Sequence, residues 1–183
     1  YMYQLMTNEK NLTVISMKEK IILFTKPLKS LVDYSDHLIH IIREPIKLES
    51  KKDGLIDIHG GALKYQNRDL LIVGDKCSGK TTLLMSFLQE GAKYVSNDSI
   101  RVKCAGEHFV VKNWPHFLRL GENMVNSNTR ICNYVHEKHI RIASDNKYLL
   151  SEADLKEIYG TDSLREINLD AIIIPKILLV IKI

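Results

Sequence analysis

Residue types able to do chemistry are concentrated in one octet, Gly74-Asp75-Lys76-Cys77-Ser78-Gly79-Lys80-Thr81. It fits the pattern G-x-x-x-x-G-K-[ST] at every fixed position. The apolar run Leu70-Leu71-Ile72-Val73 before it reads as a strand, and residues 82–90 after it read as a helix stopped by Gly91. Glycines let successive backbone N–H groups turn inward around a polyphosphate, and the helix N-terminus adds partial positive charge. In such a cradle Gly74, Asp75, Lys76, Cys77, Ser78, Gly79, Lys80, Thr81 and Thr82 surround the phosphates. Lys80 reaches the β- and γ-phosphates, and the Thr81 hydroxyl holds Mg²⁺. The pattern predicts a chain that binds a nucleoside triphosphate or descends from one that did.

Two further residues follow from topology. After the helix, Ala92-Lys93-Tyr94-Val95 reads as a short strand ending in Ser96-Asn97-Asp98. Loop, helix and return strand bring the end of this strand next to the phosphate loop, where ligands of parallel sheets sit. Asp98 is thereby placed beside the γ-phosphate and its metal. His59 ends an earlier strand, Leu55-Ile56-Asp57-Ile58, and Gly60-Gly61 leave backbone room beside it. By itself, a histidine there is a hydrogen-bonded structural residue more often than a catalyst.

The remaining elements must position these groups. Residues 1–50 read as an N-terminal unit, a cover or substrate-binding element for a catalytic domain at 51–183. Leu12-Thr13-Val14-Ile15 and Ile21-Ile22-Leu23-Phe24 suggest a β hairpin. Leu38, Ile39, Ile41 and Ile42 make a helical apolar face behind a Ser35-Asp36 cap, and Pro45 should end or kink that helix. His37 and His40 have metal-compatible spacing but no third ligand near. Residues 99–120 read as strands, and the polar, asparagine-rich stretch 121–146 as a mobile substrate-side segment. Ser151 and Asp154 form a capping box for a helix to Tyr159, stopped by Gly160. Residues 171–174 and those from Ile177 onward read as buried strands.

Composition bounds the reading. At 183 residues one α/β core is feasible, with roughly 70% of the unfolded surface buried. A net charge of +4 is too small to argue for nucleic acid and suits an anionic ligand. Three cysteines at unrelated spacings make neither a disulfide framework nor a zinc site, which favours a reducing cytoplasm. No signal-peptide pattern and no apolar run near membrane-spanning length is present, so no membrane partner is expected. The start at Tyr1 and the stop just after an apolar run leave open whether the chain is a fragment.

His59-Gly60, Leu71-Ile72-Val73-Gly74-Asp75, Gly79-Lys80-Thr81, Gly91 and Asn97-Asp98 together resemble the catalytic domain of HPr kinase/phosphorylase. The resemblance is closer still to the HPr-kinase-like proteins of some peptide-biosynthesis clusters. It is specific over about residues 55–103, looser to 175, and absent from 1–50. It implies an α/β P-loop fold of the HPr kinase / PEP carboxykinase type, with a mixed central sheet, flanking helices and here a small N-terminal β unit. It also implies a catalytic histidine 21 residues before Lys80, which is His59. An aspartate 18 residues after Lys80, which is Asp98, takes the proton of the acceptor hydroxyl. Thr81 and Asp98 are the implied Mg²⁺ groups.

Two departures qualify this. The family usually carries paired aspartates where this chain has Asn97-Asp98, and asparagine cannot take a proton. The glycine-rich stretch tied to phosphorolysis is missing; its nearest match is Arg119-Leu120-Gly121-Glu122, with Glu122 as an outer metal group. Arg165 is a weak match to the family's late catalytic arginine. Neither the reverse reaction nor HPr itself as substrate is therefore expected.

The combined expectation is an ATP-dependent kinase passing the γ-phosphoryl group to a hydroxyl, most simply a Ser or Thr of a peptide or protein. ATP and Mg²⁺ are its cofactors. The alternative is a nucleotide-binding regulatory switch, or a non-catalytic scaffold with the same fold. A switch needs no acceptor-side base, so Asp98 with His59 speaks against it; the intact Gly79-Lys80-Thr81 speaks against the scaffold. The acceptor cannot be read from the sequence, and a homo-oligomer stays open.

Overall fold

The computed structural model describes residues 2–6, 12–16, 18–19, 21–24, 31–114, 116–140, 142–143 and 145–176. The chain forms two compact units, 1–53 and 54–183. In the first, β1 (Met2–Met6), β2 (Leu12–Ser16) and β3 (Ile21–Phe24) make an antiparallel sheet in that order. Tyr3 lies opposite Ile15, and Val14 opposite Leu23. The expected hairpin is β2–β3; β1 is an additional strand, whose Met-Tyr-Gln-Leu-Met sequence carries no β-branched signal.

Helix α1 (Leu31–Lys52) begins before the expected cap at Ser35 and runs through Pro45. Proline costs a helix interior about 3 kcal/mol. The lost N–H affects a single bond, to the carbonyl of Ile41, out of a 22-residue helix. The side chains of His37 and His40, and the strand expected from Ile177, lie outside the described residues.

The second unit is a mixed α/β structure. Its elements are β4 (Ile56–Ile58), β5 (Gly60–Tyr65), β6 (Arg68–Val73), α2 (Lys80–Gln89), β7 (Lys93–Ser96), β8 (Ile100–Ala105) and β9 (His108–Lys112), followed by β10 (Leu118–Leu120), α3 (Glu122–Asn126), α4 (Thr129–Glu137), β11 (Tyr148–Leu150), α5 (Glu152–Tyr159), β12 (Glu166–Asn168) and β13 (Ala171–Ile173). One sheet has the order β13-β6-β5-β7 and a second β12-β9-β8-β4, with β10-β11 a separate pair.

The two-residue period of a strand divides the first sheet's side chains between two cores. On one face Leu63, Leu70, Ile72 and Tyr94 pack with Leu84, Met85 and Leu88 of α2 and with Ile131, Val135 and Leu155 of the later helices. On the other, Ala62, Leu71 and Val95 pack with Ile100, Val102, Val111 and Ile167 of the second sheet. That two-sided burial explains why Leu70-Leu71-Ile72-Val73 is continuously apolar rather than alternating. Each fully buried aliphatic side chain contributes about 1.5–3 kcal/mol.

Local signals hold at the helix ends. After α2, Gly91 N–H donates to Leu88 O at 3.1 Å and Ala92 N–H to Phe87 O at 3.0 Å, the paired bonds of a Schellman stop. The Ser151 capping box is present: Asp154 N–H donates to Ser151 Oγ at 3.2 Å, and Ser151 N–H to Asp154 Oδ2 at 2.7 Å.

Two expectations need revision. The stretch 121–146, expected to be a mobile substrate-side segment, holds α3 and α4, which bury Val125, Ile131 and Val135. Asn128 caps α4, accepting from Ile131 N–H at 3.2 Å. Residues 171–174 are not a buried strand: among the described residues β13 is at the edge of its sheet, and Ile172 and Ile174 are 56% and 64% exposed. Between β6, which feeds the loop, and β7, which leads into Asn97-Asp98, lies β5. Among the described residues, no helix is long and apolar enough to cross a membrane.

Candidate active site

Strand register gathers the predicted residues at one end of the β13-β6-β5-β7 sheet. β5 runs antiparallel to both neighbours, so β6 and β7 point the same way and finish at the end where β5 begins. Gly60 pairs with Val73, which sets His59 at the mouth of the loop that starts at Gly74. Ala62 pairs with Ser96, which carries Asn97 and Asp98 to the same end.

The loop is shaped by backbone bonds. Ser78 N–H donates to Asp75 O at 3.2 Å, and Lys80 Nζ donates to Gly74 O at 2.8 Å and to Asp75 O at 2.6 Å. The lysine stem is buried, so the ammonium is held inside the loop that its own helix opens. Gly74 has φ +154°, and a Cβ there would stand 2.8 Å from Ser78 Oγ, so this turn requires glycine. Helix α2 has Gly79 at its cap and no side-chain cap bond. Its first-turn amides thus have no side-chain acceptor, the condition in which a helix N-terminus accepts an anion.

Lys76 and Cys77 are exposed at the loop tip, and Cys77 sits at φ +64° with a free thiol. Its contribution is backbone shape. Cys77→Ser is expected to keep nucleotide affinity and activity within about twofold of wild type, and a loss of about tenfold in either would show a role for the thiol itself.

His59 Nδ1 lies 2.8 Å from the main-chain oxygen of Asp98. A carbonyl only accepts, so Nδ1 is the donor in this bond. His59 therefore clamps the Asp98 backbone. Asp98 is at φ +66°, and Ser99 N–H donates across it to Asn97 O at 2.8 Å, closing a γ-turn of the strained, positive-φ kind. Ser96 Oγ donates to Ser99 O at 2.7 Å and accepts from Trp114 N–H at 3.4 Å.

Trp114 is braced in turn. The Arg101 guanidinium lies 4.7 Å from its ring centroid and donates to Asn113 O at 3.1 Å, and Asn113 Nδ2 donates to Glu152 Oε1 at 3.2 Å. Beneath the turn, burial and then the negative charges of Glu152 and Asp98 push the Tyr94 phenol up. It stays a neutral phenol.

Sequence reasoning missed Ser96 and Trp114 as braces, although a small polar residue opening a Ser-Asn-Asp-Ser turn was a signal for the first. It also missed why two glycines follow His59. A Cβ on Gly60 would stand 2.5 Å from Ile72 O, and one on Gly61 2.7 Å from Leu84 Cδ1. Gly60→Ala therefore forces backbone apart at the strand feeding the loop. It should lower unfolding stability by about 1–3 kcal/mol in denaturant titration, and an unchanged midpoint would contradict the packing described. Two other candidates are not drawn in: Glu122 is exposed at the start of α3, and Arg165 is exposed with its main-chain oxygen accepting from Asn113 N–H.

Among the described residues, no group of three or more His, Cys, Asp or Glu could hold a metal ion. The hard oxygens here are the Thr81 hydroxyl and the Asp98 carboxylate. That set fits Mg²⁺, which takes one or two protein oxygens and completes its shell with waters and substrate phosphates.

No family model matches the chain, and no curated protein matches it. Among solved structures it is similar to the Hpr(Ser) kinase/phosphatase from Coxiella burnetii, at 15% identity and a TM-score of 0.42, over 65% of this chain. The matched part is 58% of that protein's length, and the similarity is a distant one of fold.

Proposed function

We propose that the chain is an ATP-dependent phosphotransferase of the HPr-kinase-like type, passing the γ-phosphoryl group to a hydroxyl of a peptide or protein. The observation that carries this reading is the meeting, at one sheet end, of an intact Gly79-Lys80-Thr81 loop with the His59–Asp98 pair. The first-turn amides of α2 and Lys80 bind the phosphate chain. Mg²⁺, held by Thr81 and Asp98, would neutralise charge on the phosphate oxygens. Asp98 orients the acceptor hydroxyl and takes its proton as the O–P bond forms and ADP leaves. His59 holds the Asp98 turn in place. Phosphoryl transfer needs positioning and charge stabilisation more than covalent help, so this short set of groups suffices.

The test is incubation of the full chain with γ-labelled ATP, Mg²⁺ and Ser/Thr-containing peptides, with mass spectrometry of the products. Phosphopeptide and ADP in equal amounts are expected. Tight ATP binding with no transfer to any acceptor would favour the nucleotide switch instead.

A further inference from the structure

Asn97 immediately precedes Asp98 at the strained turn, and its side chain is buried. The residue is 2% exposed, and its Nδ2 has no hydrogen-bond partner among the described residues. Its Oδ1 lies 3.5 Å from where a Cβ on Gly61 would stand, and that point is 2.7 Å from Cδ1 of Leu84. Leu84 is one turn beyond Lys80 in α2. The carboxamide is thus packed between β5 and the opening of the phosphate-loop helix, next to Asp98.

Buried donors in folded chains nearly always have a partner, so an amide lacking one points to an acceptor supplied from outside the chain. The other donors at this end of the sheet select that acceptor. Lys80 and the first-turn amides of α2 are donors, and the Asn97 N–H₂ group adds another without adding charge. An anionic oxygen, which only accepts, suits all of them together. An aspartate at this position would instead set a second negative charge beside Asp98, facing the same phosphate.

Resting on the nucleotide reading above, we infer that Asn97 is a phosphate-binding residue whose Nδ2–H donates to an anionic oxygen of the nucleotide's phosphate chain.

ATP–Mg²⁺ is titrated into the full chain as wild type, Asn97→Ala and Asn97→Leu, with the melting curve checking that each is folded. Loss of a hydrogen bond to a charged oxygen should raise Kd by about tenfold or more in both variants. Asn97→Leu keeps the branched shape and removes the unpartnered donor, so without nucleotide it should melt at or above the wild-type temperature. Asn97→Ala decides the matter, because it cannot overfill the site. If wild type binds and folded Asn97→Ala binds within about threefold of it, the assignment is overturned while the nucleotide reading stands. If wild type itself binds no ATP–Mg²⁺, both fall.

Discussion

Asp98→Asn is expected to leave ATP affinity within a few-fold of wild type and to lower phosphoryl transfer by about 10²-fold or more. Amide and carboxylate are nearly isosteric, and what holds this turn is largely independent of the Asp98 side chain. His59 Nδ1 bonds the Asp98 main-chain oxygen, Ser99 N–H bonds Asn97 O, and Ser96 Oγ bonds Ser99 O. The substitution therefore subtracts basicity rather than shape. Asparagine also tolerates the left-handed conformation at φ +66° better than most residues. Nucleotide Kd and initial transfer rate are measured together. If Mg²⁺ affinity falls in step with the rate, the carboxylate acts chiefly through the metal. A wild-type rate would make Asp98 a turn residue only. His59→Ala probes the clamp from the other side, and transfer should fall while binding is spared.

Lys80→Ala should remove most of the thermal stabilisation that ATP–Mg²⁺ confers. Ligand at about 100 times its Kd adds about 2.7 kcal/mol, and a hundredfold weaker Kd would leave only about 0.4 kcal/mol. The structure explains why so much depends on one ammonium. Its Nζ bonds Gly74 O and Asp75 O, which leaves one of three donors for phosphate. Alanine deletes both the charge that meets the phosphates and the tie that closes the loop. Because the loop itself loosens, the shift is compared within each variant, with and without nucleotide. Equal shifts in wild type and variant would refute the role of Lys80. No shift in wild type with ATP, ADP or GTP at millimolar concentration would refute the nucleotide reading.

Short-range chemistry was legible in the residues alone. The phosphate-loop octet, the apolar strand before it, the helix after it and its stop at Gly91 depend on neighbours within one or two turns. So does the Ser151 capping box. Where reading failed locally, the competing signal is identifiable. Asparagine density in 121–146 suggested a mobile segment, yet Asn128 is a helix cap, and the spacing of Ile131 and Val135 placed one apolar face inward.

Pairing was another matter. A period of two tells which side chains share a face and says nothing about which strand lies alongside. The placement of β5 between β6 and β7, and the bond from His59 to a carbonyl 39 residues away, follow from register across the sheet. So do the exposure of Ile172 on an edge strand, the close approach that demands Gly60, and the burial of the Asn97 amide against α2. The sequence by itself determined the glycine-bounded loop between β6 and α2, because successive residues build it. Only the tertiary structure decided what meets that loop at the sheet end, because those groups come from separate strands and meet through backbone pairing that leaves no local mark on the residues involved.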